Sequence, residues 1–357
     1  MKKLIAAAVA AAVIAPASVM AAGPTLYGKL HMSVDNKDNN TSSSEGTSYD
    51  EWSLNSNSSR IGVKGSEDLG NGMKVGYLIE WTVDMDGDSS NDLSTRNRAV
   101  TLSGDWGTAL AGKWDTPFKT VGRKFDLFGD KIGDTRSLNS GALMDQRAPN
   151  MVAYITPNMN GLTATVGYIF DVRGSGNPGD DSDYSAWSAN AIYKNGPIMV
   201  GAAYTNYSDT IFGANAEDET LWRIGGSYKF GDFKVLATYT DISDASGNDS
   251  KDTNIWTVGG AYTMGNNTIK AQYGSRDEYD DTKGMPNSGD ETGADMWAVG
   301  IDHKMSKRTT VYAAYASTSN DDFSTSTSWG GGHDKEGNAP AAGNDADSFS
   351  VGIIHKF

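Results

Sequence analysis

Connections of two alternating lengths separate the strand-like runs of this chain, and this alternation restricts its fold more than any other feature. Between Thr25 and Phe357, one kind of connection has two to six residues and carries the Asn-Gly pairs and glycines that tight hairpins need for positive φ. The other kind is longer and rich in Asp, Ser, Asn and Gly. This order predicts an up-and-down meander with the tight turns at one end and the long loops at the other.

Counting the connections gives the number of strands. Seven short turns and eight long connections separate sixteen strands, and an even number with segregated loop lengths is typical of a closed outer-membrane barrel. We therefore predict an all-β fold, a 16-stranded antiparallel transmembrane β-barrel. A soluble sandwich would have no reason to sort its loops in this way.

Alternation inside the strands supports this prediction. Val75, Tyr77, Ile79 and Trp81 share one face of their run, and Glu80 lies on the other. A period of two with a continuous apolar face indicates a strand that faces lipid.

The first 22 residues predict a cleaved secretory signal peptide. Lys2 and Lys3 precede an apolar core from Leu4 to Ile14, and small residues follow it. That core is shorter than the ~20 apolar residues of a spanning helix; an uncleaved anchor is the alternative. Residues 23–357 form one predicted barrel domain, and because the chain has no cysteine, disulfides do not stabilise it.

The charge of the chain is acidic and unevenly placed. Without Lys2 and Lys3, 28 basic residues remain against 45 acidic ones, a formal net charge of −17, which disfavours a nucleic-acid partner. Carboxylates concentrate in long loops such as 277–291 and 180–183. They form a solvated rim, and we expect their field to concentrate cations at the outer mouth.

No metal site or cofactor is predicted. The nearest match to a calcium loop is the triplet Asp84, Asp86 and Asp88, but Ser89 and Thr95 stand where an EF-hand has glycine and glutamate.

Short motifs spread along the chain resemble the Gram-negative general porin family. They are Thr25–Lys29 (TLYGK), Arg60–Gly65 (RIGVKG), Asn97–Ala99 (NRA), Arg147–Tyr154 (RAPNMVAY) and the terminal Phe357. The resemblance covers the whole predicted mature chain. It implies a homotrimer in the outer membrane, surrounded by lipid and lipopolysaccharide, through which small hydrophilic solutes pass. It also implies that Phe357 is the assembly signal for the barrel-assembly machinery.

Residues 115–147 are the one long stretch without a strand period. The resemblance implies that this loop, after the fifth strand, folds into the barrel as a constriction whose acids face basic residues of the wall. The wall residues that match the family are Lys29, Arg60, Arg98 and Arg147. Alternation independently directs Lys29 and Arg60 inward but does not do so for Arg98.

The acidic side of the constriction is less clearly marked. The family's usual Pro-Glu-Phe-Gly-Gly tip is missing, and Phe125–Asp130 stands near its place. We expect Asp126 and Asp130 to face the wall, with Asp134 and Asp115 behind them. The alternative is that these charges pair locally and only anchor the loop.

The expected function is passive diffusion of ions and small hydrophilic solutes, with a preference for cations, and no enzymatic activity. Two other functions stay open. A substrate-selective porin, for sugar oligomers for example, would need an aromatic slide, and Trp114, Phe118, Phe125 and Phe128 flank the loop. A barrel enzyme would need catalytic residues at the rim, where His333 is the one histidine in a predicted outer loop.

Overall fold

The computed structural model describes most of the chain after residue 22. The predicted signal peptide lies outside the described residues, and so do the predicted rim carboxylates of 180–183 and 280–290. The described residues are 23–42, 46–87, 93–139, 141–174, 184–213, 215–279, 291–331, 333 and 339–357.

Antiparallel β-strands make up nearly all of the regular structure. They are β1 (Thr25–Asp38), β2 (Asp50–Ser56), β3 (Arg60–Gly70), β4 (Met73–Val83), β5 (Leu93–Gly104), β6 (Gly107–Asp115), β7 (Arg147–Ile155), β8 (Leu162–Ile169), β9 (Ala186–Asn195), β10 (Ile198–Tyr207), β11 (Glu219–Phe230), β12 (Phe233–Ser243), β13 (Thr253–Met264), β14 (Asn267–Arg276), β15 (Ala294–Lys304), β16 (Thr309–Asn320) and β17 (Ala346–Lys356).

Helical structure is confined to single turns or little more. The elements are α1 (Pro117–Gly122) and the 3₁₀ turns Thr135–Leu138, Asp209–Ile211 and Ala245–Gly247. Among the described residues, no helix has both the length and the apolar character to cross a membrane.

The sheet closes on itself through its first and last strands. β1 pairs with β17 over ten residue pairs, from Lys29↔Lys356 to Asp38↔Asp347, so no strand edge is left open. β1 also pairs with β2 and with β3, at different heights. β2 and β3 are therefore two parts of one barrel strand, and the seventeen segments form a closed 16-stranded barrel, which confirms the predicted fold.

The break between β2 and β3 lies opposite His31. Ser58 has a positive φ of 51°, and the main chain bends there. Asn57 N donates to His31 O (2.8 Å), and His31 N donates to the hydroxyl of Ser59 (3.0 Å). Side-chain and main-chain bonds thus replace the missing ladder pairs.

The two faces of the strands differ as the alternation predicts. In β4, Tyr77 and Ile79 are exposed, whereas Leu78 and Glu80 are buried. The same holds in β17, where Val351 is exposed and Ser350 is buried. Because the sheet is closed, we call the exposed apolar face outer and the other face inner; an outer apolar face with a polar inner one is the arrangement of membrane barrels.

Residues 116–146, which we call the inner segment, pack against the inner face. Sixteen strands enclose more space than wall side chains can fill. One apolar cluster joins Phe118, Val121 and Phe125 of the segment to residues of β7–β15, and a second joins Phe128 and Ile132 to β15 and β16. The core of the protein therefore lies between the inner segment and the wall.

Candidate functional site

The inner segment leaves the wall through a capped helix. Thr116 caps α1 by accepting a hydrogen bond from Lys119 N, and Pro117 occupies the first turn, where its missing N–H costs nothing. Two side chains of β9 hold this turn: Ser188 Oγ accepts from Phe118 N (3.1 Å) and Asn190 Nδ2 donates to Pro117 O (2.8 Å). The sequence after β6 is thereby directed across the inner face.

Glycines of the wall provide the space for the apolar side chains of the segment. A Cβ at residue 225 would lie 2.5 Å from Phe125 Cδ2, which real contacts do not allow. Less severe approaches, of 3.0–3.2 Å, recur at four other glycines of the wall. The pairs are Phe125 with Gly201 and Gly225, Leu127 with Gly259, Phe128 with Gly300, and Leu138 with Gly274. We call these five glycines the glycine slots.

The aromatic side chains near the segment pack in the apolar clusters between the segment and the wall, and they do not line the lumen of the barrel. Phe118, Phe125 and Phe128 are almost completely buried, and Trp114 packs against the same cluster. Aromatic rings held in this way cannot offer the exposed surface that a sugar slide needs.

Asp130 is the centre of the charged side of the segment. Its carboxylate contacts Lys29 Nζ (2.9 Å), Arg123 Nη2 (3.1 Å) and Arg136 Nη2 (3.1 Å). Although burial opposes it, these three cations hold the pKa of Asp130 well below its usual range. Asp130 is thus ionised, and it faces the wall residue Lys29 as the resemblance implies.

Asp134 supports Asp130 from behind. It caps the 3₁₀ turn by accepting from Arg136 N (3.1 Å), and its Oδ2 accepts from Asp130 N (2.9 Å). It also forms an ion pair with the Arg136 guanidinium. The backbone of Asp130 is held in a left-handed conformation, φ 62°, by this contact.

Asp126 has a different environment from the one expected. Oδ1 accepts from Phe128 N (2.6 Å) and Gln272 Nε2 (3.1 Å), and Oδ2 accepts from Thr135 N and Oγ1 (both 3.2 Å). Burial and the nearby carboxylate of Asp134 raise the pKa of Asp126 to about 7. The structure does not bring Asp126 to the basic wall residues; it ties the two limbs of the segment together.

Asp115 and Arg147 close the neck of the segment. They are register partners at the last rung between β6 and β7, and Arg147 Nε lies 3.1 Å from Asp115 Oδ1. Lys119 Nζ contacts the same oxygen (3.2 Å), and Asn97 bridges Arg147 and Asp115. Two predicted site residues thus meet here.

Glu80 was not predicted as a site residue, yet it organises the wall. It contacts Arg96 Nε (2.7 Å) and Arg60 Nε (3.5 Å), and Tyr27 donates to it (3.0 Å). Alternation alone put Glu80 on the polar face of its strand, so a carboxylate at that position was the signal available. Arg60 is in turn the register partner of Lys29.

Arg98 is not brought to this group of charges. A bulge between Ile79 and Trp81 places Arg96 and Asn97 opposite the single residue Glu80. Below the bulge Arg98 pairs with Ile79, an exposed residue of the outer face, and Arg98 Nε is buried without a hydrogen-bond partner. Arg96 therefore occupies the place in which the resemblance put Arg98.

Eight ion pairs among the described residues hold these side chains in three groups, around Glu80, around Asp115 and around Asp130 with Asp134, and we call the three groups together the charge cluster. It comprises seven bases, Lys29, Arg60, Arg96, Lys119, Arg123, Arg136 and Arg147, and four acids, Glu80, Asp115, Asp130 and Asp134.

Two further contacts fasten the segment to the wall and were also missed. Lys131 and Lys270 share the carboxylate of Asp302 (2.5 and 3.2 Å), and Arg223 lies 3.4 Å from Asp145. The anchoring that was kept as an alternative therefore exists beside the charge cluster, at other residues.

His333 lies in the loop between β16 and β17, which is the predicted outer loop, but its side chain is buried and not exposed at the mouth. Its Nε2 is 3.0 Å from Asp35 Oδ2 on the inner face of β1. The nearby hydroxyl of Ser33 donates to the Asp35 carboxylate (2.9 Å). Part of the last loop therefore folds inward.

The terminal Phe357 lies at the seam of the barrel. Its N–H and C=O exchange hydrogen bonds with Gly28 (3.2 and 3.1 Å), and its ring covers Gly28, where a Cβ would lie 2.4 Å from Phe357 Cζ. The residue implied as an assembly signal is thus part of the closing contact.

Comparison with known proteins agrees with this fold. The family described as Gram-negative porin matches residues 6–323. Outer membrane porin protein 32 of Delftia acidovorans is 30% identical over 336 residues, which cover 91% of this chain and 91% of that protein. Major outer membrane protein P.IB of Neisseria meningitidis serogroup B is 29% identical over 163 residues, 44% of this chain and 46% of that protein.

Solved structures agree as well. The anion-selective porin from Comamonas acidovorans has a TM-score of 0.75 and 26% identity, covering 94% of this chain and 99% of that one. OmpT of Vibrio cholerae in its trimer form, at 19% identity, has a TM-score of 0.66 over 94% of this chain and 99% of that one, and shows the fold alone. The chain belongs to the Gram-negative porin family and is a porin of the outer membrane.

Proposed function

We propose that the chain forms a channel for passive diffusion of small hydrophilic solutes and ions, and that the inner segment narrows this channel to a constriction at which anions pass in preference to cations. The wall members of this constriction are Lys29, Arg60, Arg96 and Arg147. Asp130 and Asp134 supply most of its acidic side, with Asp115 at the neck.

The balance of the charge cluster carries the proposal. Seven basic side chains stand against four carboxylates, an excess of three positive charges. The side chains of Arg123 and Arg60 are 33% and 25% exposed, whereas those of Asp130 and Glu80 are 7% and 9% exposed. The acid Asp115 is 22% exposed, so the two most exposed side chains of the cluster are both guanidinium groups, and exposed charge at a constriction sets selectivity in pores.

The cation preference expected from the sequence has no support in this arrangement. It rested on the carboxylates of the rim and on the expectation that Asp126 and Asp130 both line the constriction. Charges in open water are screened within about 8 Å at physiological ionic strength, whereas partly buried charges a few ångströms from a passing ion act at a lower dielectric constant. The porin from Comamonas acidovorans, which resembles this chain in fold at 26% identity, is anion-selective, and this also favours anions.

Reversal potentials in planar bilayers test the preference. With more KCl on one side of the membrane, the sign of the reversal potential identifies the ion that carries more current. We expect the sign of the reversal potential that indicates a larger chloride current. The opposite sign, for a larger potassium current, would exclude the proposed preference. A bilayer that shows no channel steps would exclude the channel itself.

We further propose a homotrimer without enzymatic activity. A trimer form of a protein with this fold is known, and closure of the current in three equal steps would support three pores per unit. Against an enzyme, the Ser33 hydroxyl donates to the Asp35 carboxylate (2.9 Å), whereas a serine nucleophile donates to the histidine that acts as its base. Equal turnover of lipid or peptide substrates by the wild-type protein, by the His333→Ala variant and by blank samples is the expected result.

A further inference from the structure

Residues 324–331 of the last loop, which we call the strap, lie inside the barrel against the inner segment. Ser324, Ser328 and Trp329 are buried, although the composition of the loop resembles that of the outer loops. The strap is thus a second piece of loop on the inner face, on the side of β16 and β17.

The strap contacts the tip of the inner segment directly. Gly133 N donates to Ser328 O (2.8 Å). Gly331 approaches the Asp134 carboxylate so closely that a Cβ would lie 2.9 Å from its Cγ. Trp329 belongs to the apolar cluster that contains Phe128 and Ile132, the residues on either side of Asp130.

The wall holds the strap at three points. At one end, Arg276 Nη2 donates to Ser324 Oγ (2.9 Å). In the middle, the hydroxyls of Ser328 and Ser348 lie 2.8 Å apart. Just beyond the other end, His333 lies against Asp35. The strap is therefore fixed to β14, β17 and β1, and it contacts a segment that is itself bound to β1 through Lys29 and to β14 through Gln272.

We propose that the strap is a positioning element of the constriction: it holds residues 128–134 in place, and so determines where the Asp130 and Asp134 carboxylates stand relative to the wall cations. This inference rests on the proposed function. It assigns a part in ion selectivity to Trp329 and Gly331, neither of which is charged.

The test compares two aromatic residues of the same loop. Trp329→Ala removes the packing on Phe128 and Ile132, whereas Phe323→Ala removes a ring that is 48% exposed. We expect Trp329→Ala to change the chloride-to-potassium permeability ratio about twofold, because displaced carboxylates alter the local field, and to add open-channel noise. Phe323→Ala is expected to behave as wild type.

A reversible covalent bond supplies the complementary test. Since the chain has no cysteine, Ser328→Cys and Ser348→Cys introduce a single pair, whose sulfurs can reach bonding distance. In the Trp329→Ala background, oxidation is expected to restore the permeability ratio and quiet the noise, and a reductant is expected to reverse both. Heat-modifiable electrophoretic mobility reports whether each variant has folded.

The outcomes separate the two proposals. If Trp329→Ala raises conductance while the permeability ratio and noise stay at wild-type values, the strap only occupies space and the inference is overturned. Should Trp329→Ala not fold, Gly331→Ala replaces it: its added Cβ displaces Asp134, and an unchanged ratio overturns the inference. A wild-type channel that prefers potassium overturns the proposed anion preference, yet the effect of the strap is still measured.

Discussion

Carboxylates of the inner segment have different roles although they lie close together in sequence. Asp130 balances three cations, whereas Asp126 accepts four hydrogen bonds from Phe128, Thr135 and Gln272. An amide is uncharged and keeps only one of the two acceptor oxygens of a carboxylate. Asparagine therefore removes the counter-ion at position 130, whereas at position 126 it retains part of the hydrogen bonding.

Asp130→Asn is expected to strengthen the anion preference, because Lys29, Arg123 and Arg136 lose the charge that they share. The matched control is Asp126→Asn, for which we expect the wild-type reversal potential. Loss of one partner of a buried ion pair costs about 3–5 kcal/mol, so both variants need a check of folding by heat-modifiable mobility. Equal shifts in the two variants would contradict the assignment of Asp130.

Arg96 and Arg98 form a second matched pair. Arg96→Gln is expected to weaken the anion preference by about twofold or more, since it removes an inner cation and leaves Glu80 less well balanced. Arg98→Gln is expected to leave the permeability ratio unchanged, because Arg98 is the register partner of the outer residue Ile79. Single-channel reversal potentials compare the two. A larger effect at Arg98 would show that the bulge does not direct the side chains as described.

At the scale of elements, the glycine slots explain why glycines recur in the middle of strands. A glycine inside a strand is unfavourable by about 0.5–1 kcal/mol relative to alanine. Here the missing side chain admits Phe125, Leu127, Phe128 and Leu138 of the inner segment. The cost in the wall is offset by burial of these side chains.

Gly225→Ala is expected to displace the inner segment, because its Cβ would lie 2.5 Å from Phe125 Cδ2. Overpacking of this kind costs about 1–3 kcal/mol, and we expect a lower unfolding temperature on heat-modifiable gels and a changed conductance. The matched control is Gly226→Ala, where the nearest atom, Met199 O, is 3.8 Å away.

The double variant Gly225→Ala with Phe125→Leu identifies the cause. A smaller side chain at 125 leaves room for the new methyl group, so we expect partial recovery of both the unfolding temperature and the conductance. Additive losses in the double variant would mean that Gly225 acts through something other than Phe125.

The sequence predicts the wall well because each strand residue meets one of two environments. Alternation at Tyr77, Ile79 and Glu80 predicts which residues lie on the outer and the inner face, and the loop lengths predict the two ends of the barrel. No sequence pattern predicts the bulge at Glu80. Arg96 and Arg98 have the same parity, so alternation assigns them to one face, and a single extra residue in a strand changes neither composition nor loop length.

The interior was less predictable because its contacts are remote in sequence. The inward course of 115–147 came from a family resemblance, and the residues themselves supplied only a lack of period. Asp126 and Asp130 are the same residue type in the same loop. Their roles differ because Gln272 donates a hydrogen bond to Asp126, whereas Lys29 forms an ion pair with Asp130. Trp329 and His333 lie in a loop with outer-loop composition, and their partners Ile132 and Asp35 are about 200 to 300 residues away in the chain.

At the scale of the whole molecule, charge of opposite sign is separated in space. The chain carries a net charge of −17 without the signal lysines, while the charge cluster has an excess of three bases. The sequence predicts that the rim carboxylates lie in solvated loops, whereas most side chains of the cluster are partly or fully covered. Salt therefore weakens the influence of the rim more than that of the cluster.

Raising the ionic strength is accordingly expected to shift the permeability ratio further toward anions. The Debye length falls from about 10 Å at 0.1 M to about 3 Å at 1 M, which suppresses the attraction of cations by the rim. Reversal potentials measured at one concentration ratio and several absolute concentrations follow this shift. A preference for potassium at low salt that vanishes at high salt would mean that the rim alone governs selectivity.

The inner segment narrows the barrel, and its apolar side chains also form part of the hydrophobic core. Phe118, Phe125 and Ile132 are almost completely buried against the wall, and they belong to the segment that carries much of the charge cluster. Permeability and stability therefore depend on the same contacts between the inner segment and the wall. A substitution that widens the passage also removes buried apolar side chains from the core. Selection for faster uptake would therefore either lower the stability of the barrel or require compensating contacts elsewhere in the wall. The stability of the fold thus limits the permeability that such a channel can reach.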